Sequence, residues 1–309
     1  MRLQLTFLSV CFLLEGCVSL SDQCVQGVVT DASMNTVTVQ SHASDPMPFS
    51  TLNADKSGLS GLMLGDYLKV CYAGRYEEGM EAKSVQTVLK ADEYQKVRWF
   101  NEGTRLQAVK DGNQALYVLF SSDQSRSSLF FPKQKKVQIL ERRTLPSGDF
   151  VWNQLDDDTL NLRQKDGVWT VSRRGALLYN QPNVDGDASP GAWLTEQYEG
   201  VLPAADCPGI RYQLTLKHRA HSGDGYFLLL TTYLEAENGR DATFAYIGKR
   251  LTQRGSAQNP DATVWQLISD TDQSVWNFEV QSQGQKLQLL TQQFEEIPSN
   301  LSYELEKLK

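Results

Sequence analysis

The chain has 309 residues, of which 40 % are hydrophobic and 10 % aromatic, enough apolar material for more than one core. With 22 Gly and 10 Pro it is neither collagen-like nor of low complexity. A net charge of −7 with no strongly basic stretch excludes a dedicated nucleic-acid binder, whose affinity rests on neutralising phosphates. Three His and five Cys leave little material for a His-rich metal enzyme.

Met1 and Arg2 make a minimal positive start, and Leu3 to Leu14 is an apolar run. It has the length of a secretory h-region and falls short of the roughly 20 residues that a spanning helix needs. Leu14-Glu15-Gly16-Cys17 follows and resembles the lipobox of bacterial lipoproteins, with Glu15 as its unusual position. The resemblance implies a lipoprotein signal peptide over residues 1–16 and acylation of Cys17; the alternative is an ordinary signal peptide cut near Gly16, with Cys17 incidental. Acyl chains contribute about 0.8 kcal/mol per buried CH₂, so two or three of them hold a chain at a bilayer. The expected location is the cell envelope, lipid-anchored, at the outer membrane.

Beyond the signal peptide the chain reads as all-β, with three consecutive β-barrel-like domains. Over 17–90, Val25–Thr30, Thr36–Gln40, Asp66–Tyr72 and Ala82–Val88 are short runs rich in β-branched or aromatic residues. Turn chemistry separates them at Asp31-Ala-Ser-Met-Asn35, Asp45-Pro46 and Gly74. The count and spacing fit a small OB-like barrel, with a single helical turn over Leu59–Leu64. Cys24 opens the first strand and Cys71 lies in a later one, so a disulfide between them is one reading and two buried thiols the other. Met34, Met47, Met63 and Met80 are spread through this unit without a local cluster, which favours core packing over a thioether copper site.

Residues 91–180 form a middle β-domain that opens on a polar stretch, Lys90–Trp99, read as a short helix or linker. A meander follows, from Ala115–Phe120 to Ala176–Tyr179. Asp156-Asp157-Asp158 lacks the alternation of a calcium loop and reads as a solvated connection. Arg143-Thr-Leu-Pro-Ser-Gly148, the aromatic strand after it and Arg174-Gly-Ala-Leu177 resemble the MliC-type periplasmic lysozyme inhibitors. That resemblance implies inhibitory roles for Ser147 and for Arg174, which stands where the family has Lys. Residues 181–196, with two Pro, two Gly and two Asp, read as a linker.

Residues 197–309 predict an up-and-down barrel, from Tyr212–Leu216 through Gly225–Leu234 to Leu301–Leu305. Its opening, Tyr198-Glu-Gly-Val-Leu-Pro-Ala-Ala-Asp-Cys-Pro-Gly-Ile210, resembles the NlpE family of copper-homeostasis and adhesion-linked lipoproteins, whose pattern is Tyr-x-Gly-x-Leu-Pro-Cys-Ala-Asp-Cys-x-Gly-Ile. The resemblance implies a lipocalin-like barrel and a non-enzymatic role in envelope stress, adhesion sensing or copper homeostasis through protein contact. Ala204 replaces the first motif cysteine, which weakens copper as a cofactor because Cu(I) is held by paired thiolates. Cys207 then reads as a small buried residue, with a Cys207-His218-His221 metal site as the alternative. No Gly-x-Ser-x-Gly, phosphate-binding Gly-Lys-Ser/Thr or His-Glu-x-x-His motif occurs, so the chain reads as no enzyme, with no catalytic residues. The expected partners are the membrane, through the anchor, and a protein such as a sensor kinase or lysozyme. A lipocalin-like carrier of a small apolar ligand is a third reading; a barrel filled by Trp265, Trp276 and Phe278 would oppose it.

Overall fold

A computed structural model describes residues 22–41, 44–102, 104–107, 115–120, 126–131, 136–147, 150–153, 160–165, 168–173, 176–180 and 191–309. Its strands fall into three sheets. By Cα proximity the chain divides into two units, one ending at Thr87 and the other running from Val88 to Lys309.

The first unit contains β1 (Asp22–Ala32), β2 (Thr36–Gln40), β3 (Met47–Ser50), β4 (Tyr67–Ala73) and β5 (Ala82–Leu89). Their order is β3-β2-β1-β4-β5, and parallel bridges Ser50–Glu81 and Asp55–Ser84 join the two outer strands. The first strand therefore pairs on both sides, as in an OB-like barrel. Strict alternation drives this closure: in β2 Val37 and Val39 are buried, and in β4 Leu68, Val70 and Tyr72 are. Phe49 completes the core, with its ring 5.3 Å from those of Tyr72 and Tyr76. Gly27 is required by close approach, since a Cβ there would stand 2.7 Å from the Gln40 backbone.

Cys24 lies directly opposite Cys71 in the β1–β4 register, and the two are disulfide-bonded. Two expectations need correction. Leu59–Leu64 is irregular and holds no helix. Only Met47 and Met80 pack against the core, while Met34 and Met63 are exposed; both exposed methionines occupy connections between strands, where no second layer covers them.

The second unit opens with α1 (Ala91–Glu102), which takes the helix alternative read over Lys90–Trp99 and extends three residues past it. Asp92 and Glu93 in its first turn complement the positive end of the helix dipole, and Lys96 pairs with Glu93 at 2.9 Å. Tyr94, Val97, Trp99 and Phe100 supply its apolar face.

The middle sheet is an eight-stranded antiparallel meander in chain order: β6 (Thr104–Gln107), β7 (Ala115–Phe120), β8 (Arg126–Phe131), β9 (Lys136–Thr144), β10 (Phe150–Asn153), β11 (Leu160–Lys165), β12 (Val168–Arg173) and β13 (Ala176–Asn180). Leu140 and Leu162 are fully buried in it. Asp156, Asp157, Asp158 and residues 181–190 lie outside the described residues.

The last sheet is a closed barrel of β14 (Trp193–Leu202), β15 (Ile210–Arg219), β16 (Gly225–Glu237), β17 (Arg240–Arg254), β18 (Thr263–Ser269), β19 (Val275–Gln281), β20 (Lys286–Leu290) and β21 (Glu304–Lys307). It begins at Trp193, so residues 193–196, read from sequence as linker, belong to its first strand. Alternate residues fill the interior, among them Tyr198, Leu214, Leu216, Phe227, Leu267 and Phe278, with Trp265 and Trp276 packed against them. A lipocalin-like carrier would need that space empty. Gly248 of β17 lies tight against β18: a Cβ there would lie 2.0 Å from the Ile268 carbonyl oxygen.

The outer face of the barrel wall is apolar on β16 and β17. Leu228, Leu230, Ala245 and Ile247 point away from the interior and pack against Trp99 and Phe100 of α1. Lys217 of β15 donates to the Phe100 carbonyl at 3.0 Å. It thereby supplies the cation that the last turn of α1 lacks, and burial lowers its pKa from the usual lysine value.

The Cys24–Cys71 bond closes a 47-residue separation, worth about 4 kcal/mol in the chain-entropy account. A soluble protein beginning at residue 22 should titrate one thiol when denatured unreduced and three after reduction, and the Cys24→Ser/Cys71→Ser variant should unfold at markedly lower denaturant.

Candidate functional site

The two ends of the C-terminal barrel are chemically different. One is sealed by charge. Glu196, one turn of alternation before the buried Tyr198, accepts from Lys307 and lies 3.1 Å from His218 Nε2. The other ring nitrogen of His218, Nδ1, is 3.1 Å from the Arg219 carbonyl. Arg250, 3 % exposed, donates to the Ser222 and Gly223 carbonyls at 3.4 and 3.2 Å. Its Nε has no hydrogen-bond partner among the described residues, and the guanidinium lies 4.9 Å over the Trp265 ring. Burial lowers the Arg250 pKa and pushes that of the Tyr198 hydroxyl up; this hydroxyl donates to the Gly284 carbonyl at 2.9 Å.

The opposite end is aromatic. Tyr246 meets Trp276 at 4.9 Å between ring centres, Trp276 meets Phe227 at 6.2 Å, and Tyr233 meets Phe244 at 5.7 Å, all edge-on. Burial raises the pKa of Tyr212 and of Tyr246. Phe244 is 42 % exposed, so this end is lined by rings and open to solvent.

The Cys207 loop, residues 203–209 between β14 and β15, stands at this aromatic end. Cys207 is half-buried and free, with its thiol donating to the Gly209 carbonyl at 3.2 Å; it is less enclosed than the buried small residue expected. The Cys207-His218-His221 metal reading is corrected by topology. From Ile210 to His218 is eight residues of continuous strand, about 27 Å at about 3.4 Å per residue, so the thiol and the imidazoles sit at opposite ends. Among the described residues no group of three or more His, Cys, Asp or Glu stands close enough to hold a metal ion.

Ser147 is exposed in the turn between β9 and β10. Arg174 lies outside the described residues. Cys17 also lies outside the described residues. No described helix is long and apolar enough to cross a membrane.

Glu196 and Arg250 were not singled out in the sequence. Arg250 carried a usable signal, a charge at an inward position of a strand whose neighbours alternate apolar. Glu196 carried none, because it follows a stretch rich in Pro, Gly and Asp.

Burial raises the pKa of Glu196, but the hydrogen bonds and charges of Lys307 and His218 outweigh it and hold the value below the ordinary one. A carboxylate with a lowered folded pKa stabilises above its unfolded value and stops doing so as pH falls through the folded one. Glu196→Gln should therefore cost about 2 kcal/mol at neutral pH. The gap to the parent protein in urea midpoints should close as pH drops below the usual glutamate range.

The family model described as the NlpE N-terminal domain matches residues 198–300, nearly the whole barrel and one third of the chain. No curated protein matches the chain. What the family model calls an N-terminal module thus stands here at the C-terminal end, behind an OB-like barrel and a β-meander. Within this chain it is the C-terminal barrel that is similar to the NlpE N-terminal domain.

Proposed function

We propose that this protein is an envelope lipoprotein, anchored at the outer membrane through acylated Cys17, that works by protein contact in sensing envelope stress or surface adhesion. The observation that carries the reading is the NlpE-family barrel whose interior is filled by its own side chains. A filled barrel leaves its rims and outer wall as the working surfaces. The lipobox-like Leu14-Glu-Gly-Cys17 supports the anchor. A copper-sensor kinase relay would belong to the same class of activity, but the motif loop offers a single thiol, since Ala204 stands in place of the other cysteine.

Anchoring is tested by fractionation. The parent protein should sediment with membranes and carry a mass increment of acyl chains, and Cys17→Ala should lose both. A parent protein found soluble and unmodified would overturn the reading.

Copper is tested by titration with Cu(I) under reducing conditions. The parent protein and Cys207→Ser should hold it equally weakly, while Ala204→Cys, which restores two thiols, should bind it far more tightly. Tight binding by the parent that is lost in Cys207→Ser would bring copper homeostasis back as the function.

A further inference from the structure

The outer wall of the barrel carries a second surface near the charged base. Leu214, Leu216, Phe227 and Leu229 fill the interior, so alternation turns Lys217 and Arg219 of β15 and Tyr226 of β16 outward. The ladders set their neighbours beside them. Lys217 stands opposite Tyr226, Tyr226 opposite Lys249 of β17, and Arg219 opposite Trp193 of β14. Residues opposite one another in an antiparallel pair share a face, so Trp193 and Lys249 point outward too. The Trp193 ring stacks on that of Tyr226 at 6.2 Å between centres, and the Arg219 guanidinium lies 5.5 Å over the Trp193 ring. Trp193 is nevertheless 57 % exposed, and Leu194 at the rim beside it 43 %.

The charge of this face has one sign. No outward position of β14 to β17 at this end is acidic. The neighbouring carboxylates are Glu196, turned inward onto Lys307 and His218, Asp261, paired with Arg254, and Asp224 in the turn before β16. The aromatic end is the reverse: Glu235, Glu237 and Asp241 at the β16–β17 tip, with Asp270 and Asp272 in the β18–β19 turn, outnumber Arg240 beside them. A field that is positive at one end and negative at the other turns the barrel in front of an anionic plane. A second copy of this chain would bring like charge to the face. Trp and Tyr settle at the level of lipid head groups, with an apolar body and a polar edge. Lys and Arg lay their apolar stems there while their charges reach the phosphates. A convex strand face whose rings stand at the surface fits a plane rather than a narrow ligand.

We propose that this face, built on Trp193, Arg219, Tyr226 and Lys249, docks on a phospholipid surface rich in anionic head groups and turns the aromatic end of the barrel away from the bilayer. Lys217 is committed to the Phe100 carbonyl and adds to the field rather than to the contact. Two cations and two rings hold a bilayer weakly by themselves, since each Lys or Arg near an anionic surface is worth roughly fivefold in partition. The acyl anchor makes that sufficient, because a tethered face meets the bilayer at an effective concentration on the order of millimolar. The proposal rests on the anchored reading given above and deepens it by giving the C-terminal barrel an orientation.

The test uses the full acylated chain carrying Thr195→Cys, an exposed position opposite Lys217 on the same face. It is reconstituted in vesicles of phosphatidylcholine alone and in vesicles with about 30 % phosphatidylglycerol. Uncharged N-ethylmaleimide modifies the introduced thiol and the native Cys207 at the opposite end, and peptide mapping separates the two. The anionic vesicles should slow modification at position 195 about tenfold, and high salt should restore it. Cys207 should react alike in both lipids. Arg219→Ser/Lys249→Ser removes two outward charges without touching the interior, and should abolish most of the slowing at an unchanged melting temperature. Should that variant fold poorly, Trp193→Ala, at an exposed ring, should weaken the slowing several-fold. Equal rates at position 195 in the two lipids, equal slowing at Cys207, slowing that survives in the folded variants, or the same slowing from soluble polyglutamate over neutral vesicles would overturn the proposal. Flotation with the neutral vesicles reads the anchor alone, so a protein left behind there overturns the lipoprotein reading by a result separate from the one at position 195.

Discussion

The outer wall formed by β16 and β17 is where the second unit is held together. These two strands are buried on both faces: Phe227 and Leu229 fill the barrel, and Leu228, Ala245 and Ile247 meet Trp99 and Phe100 of α1. An antiparallel strand with one wet face alternates, whereas one covered on both faces reads as a continuous apolar run, and Tyr226–Leu230 is such a run. The helix that covers this wall cannot be stable alone at twelve residues. It depends on the wall for its apolar face, on Lys217 for its C-terminal carbonyl and on the Ala245 N–H as an outlet for Glu93. Barrel and helix thus complete each other, and the meander begins from the end of that helix.

The barrel behaves as a bottle with a charged base and an aromatic neck. At the base, Glu196, His218, Lys307 and Arg250 are held by one another and by loop carbonyls. Such a network is costly to break at any single member, because the remaining buried charge is then uncompensated. At the neck, rings meet edge-on and the carboxylates are solvated. The two ends suit different roles, the first closing the fold and the second facing whatever approaches it.

Much of the architecture was legible along the chain because period-two alternation is local. Thr36–Gln40 and Tyr67–Ala73 announce their buried faces residue by residue, whereas Cys24 and Cys71 left a disulfide and two buried thiols both open until the β1–β4 register set them opposite each other. The opening Tyr198–Ile210 carries its resemblance to the NlpE family in consecutive residues, and the matching family model covers 198–300. The site was less legible because it is made by register between distant segments. Glu196 meets His218 across 22 residues and Lys307 across 111, and nothing in the Pro- and Gly-rich sequence before Glu196 foretells a strand. Conversely, Cys207, His218 and His221 look close in sequence, yet a straight strand carries them to opposite ends. Helix α1 was underread because its apolar positions are few and set among charges; the wall it needs lies more than a hundred residues downstream.

The position of the Cys24–Cys71 bond has a mechanical meaning. It joins the first strand to β4 two residues after Asp22, the first residue of that strand. Tension entering through the residues ahead of Asp22 passes along Asp22–Cys24 and across the sulfurs into β4. The 46 residues between the two cysteines, with most of the OB-like core, are bypassed. A barrel tethered by its N-terminal strand would ordinarily unzip from that strand, one ladder bond at a time. Here such unzipping would stop at the covalent link, and a pull on the first strand would leave the core of the first sheet folded.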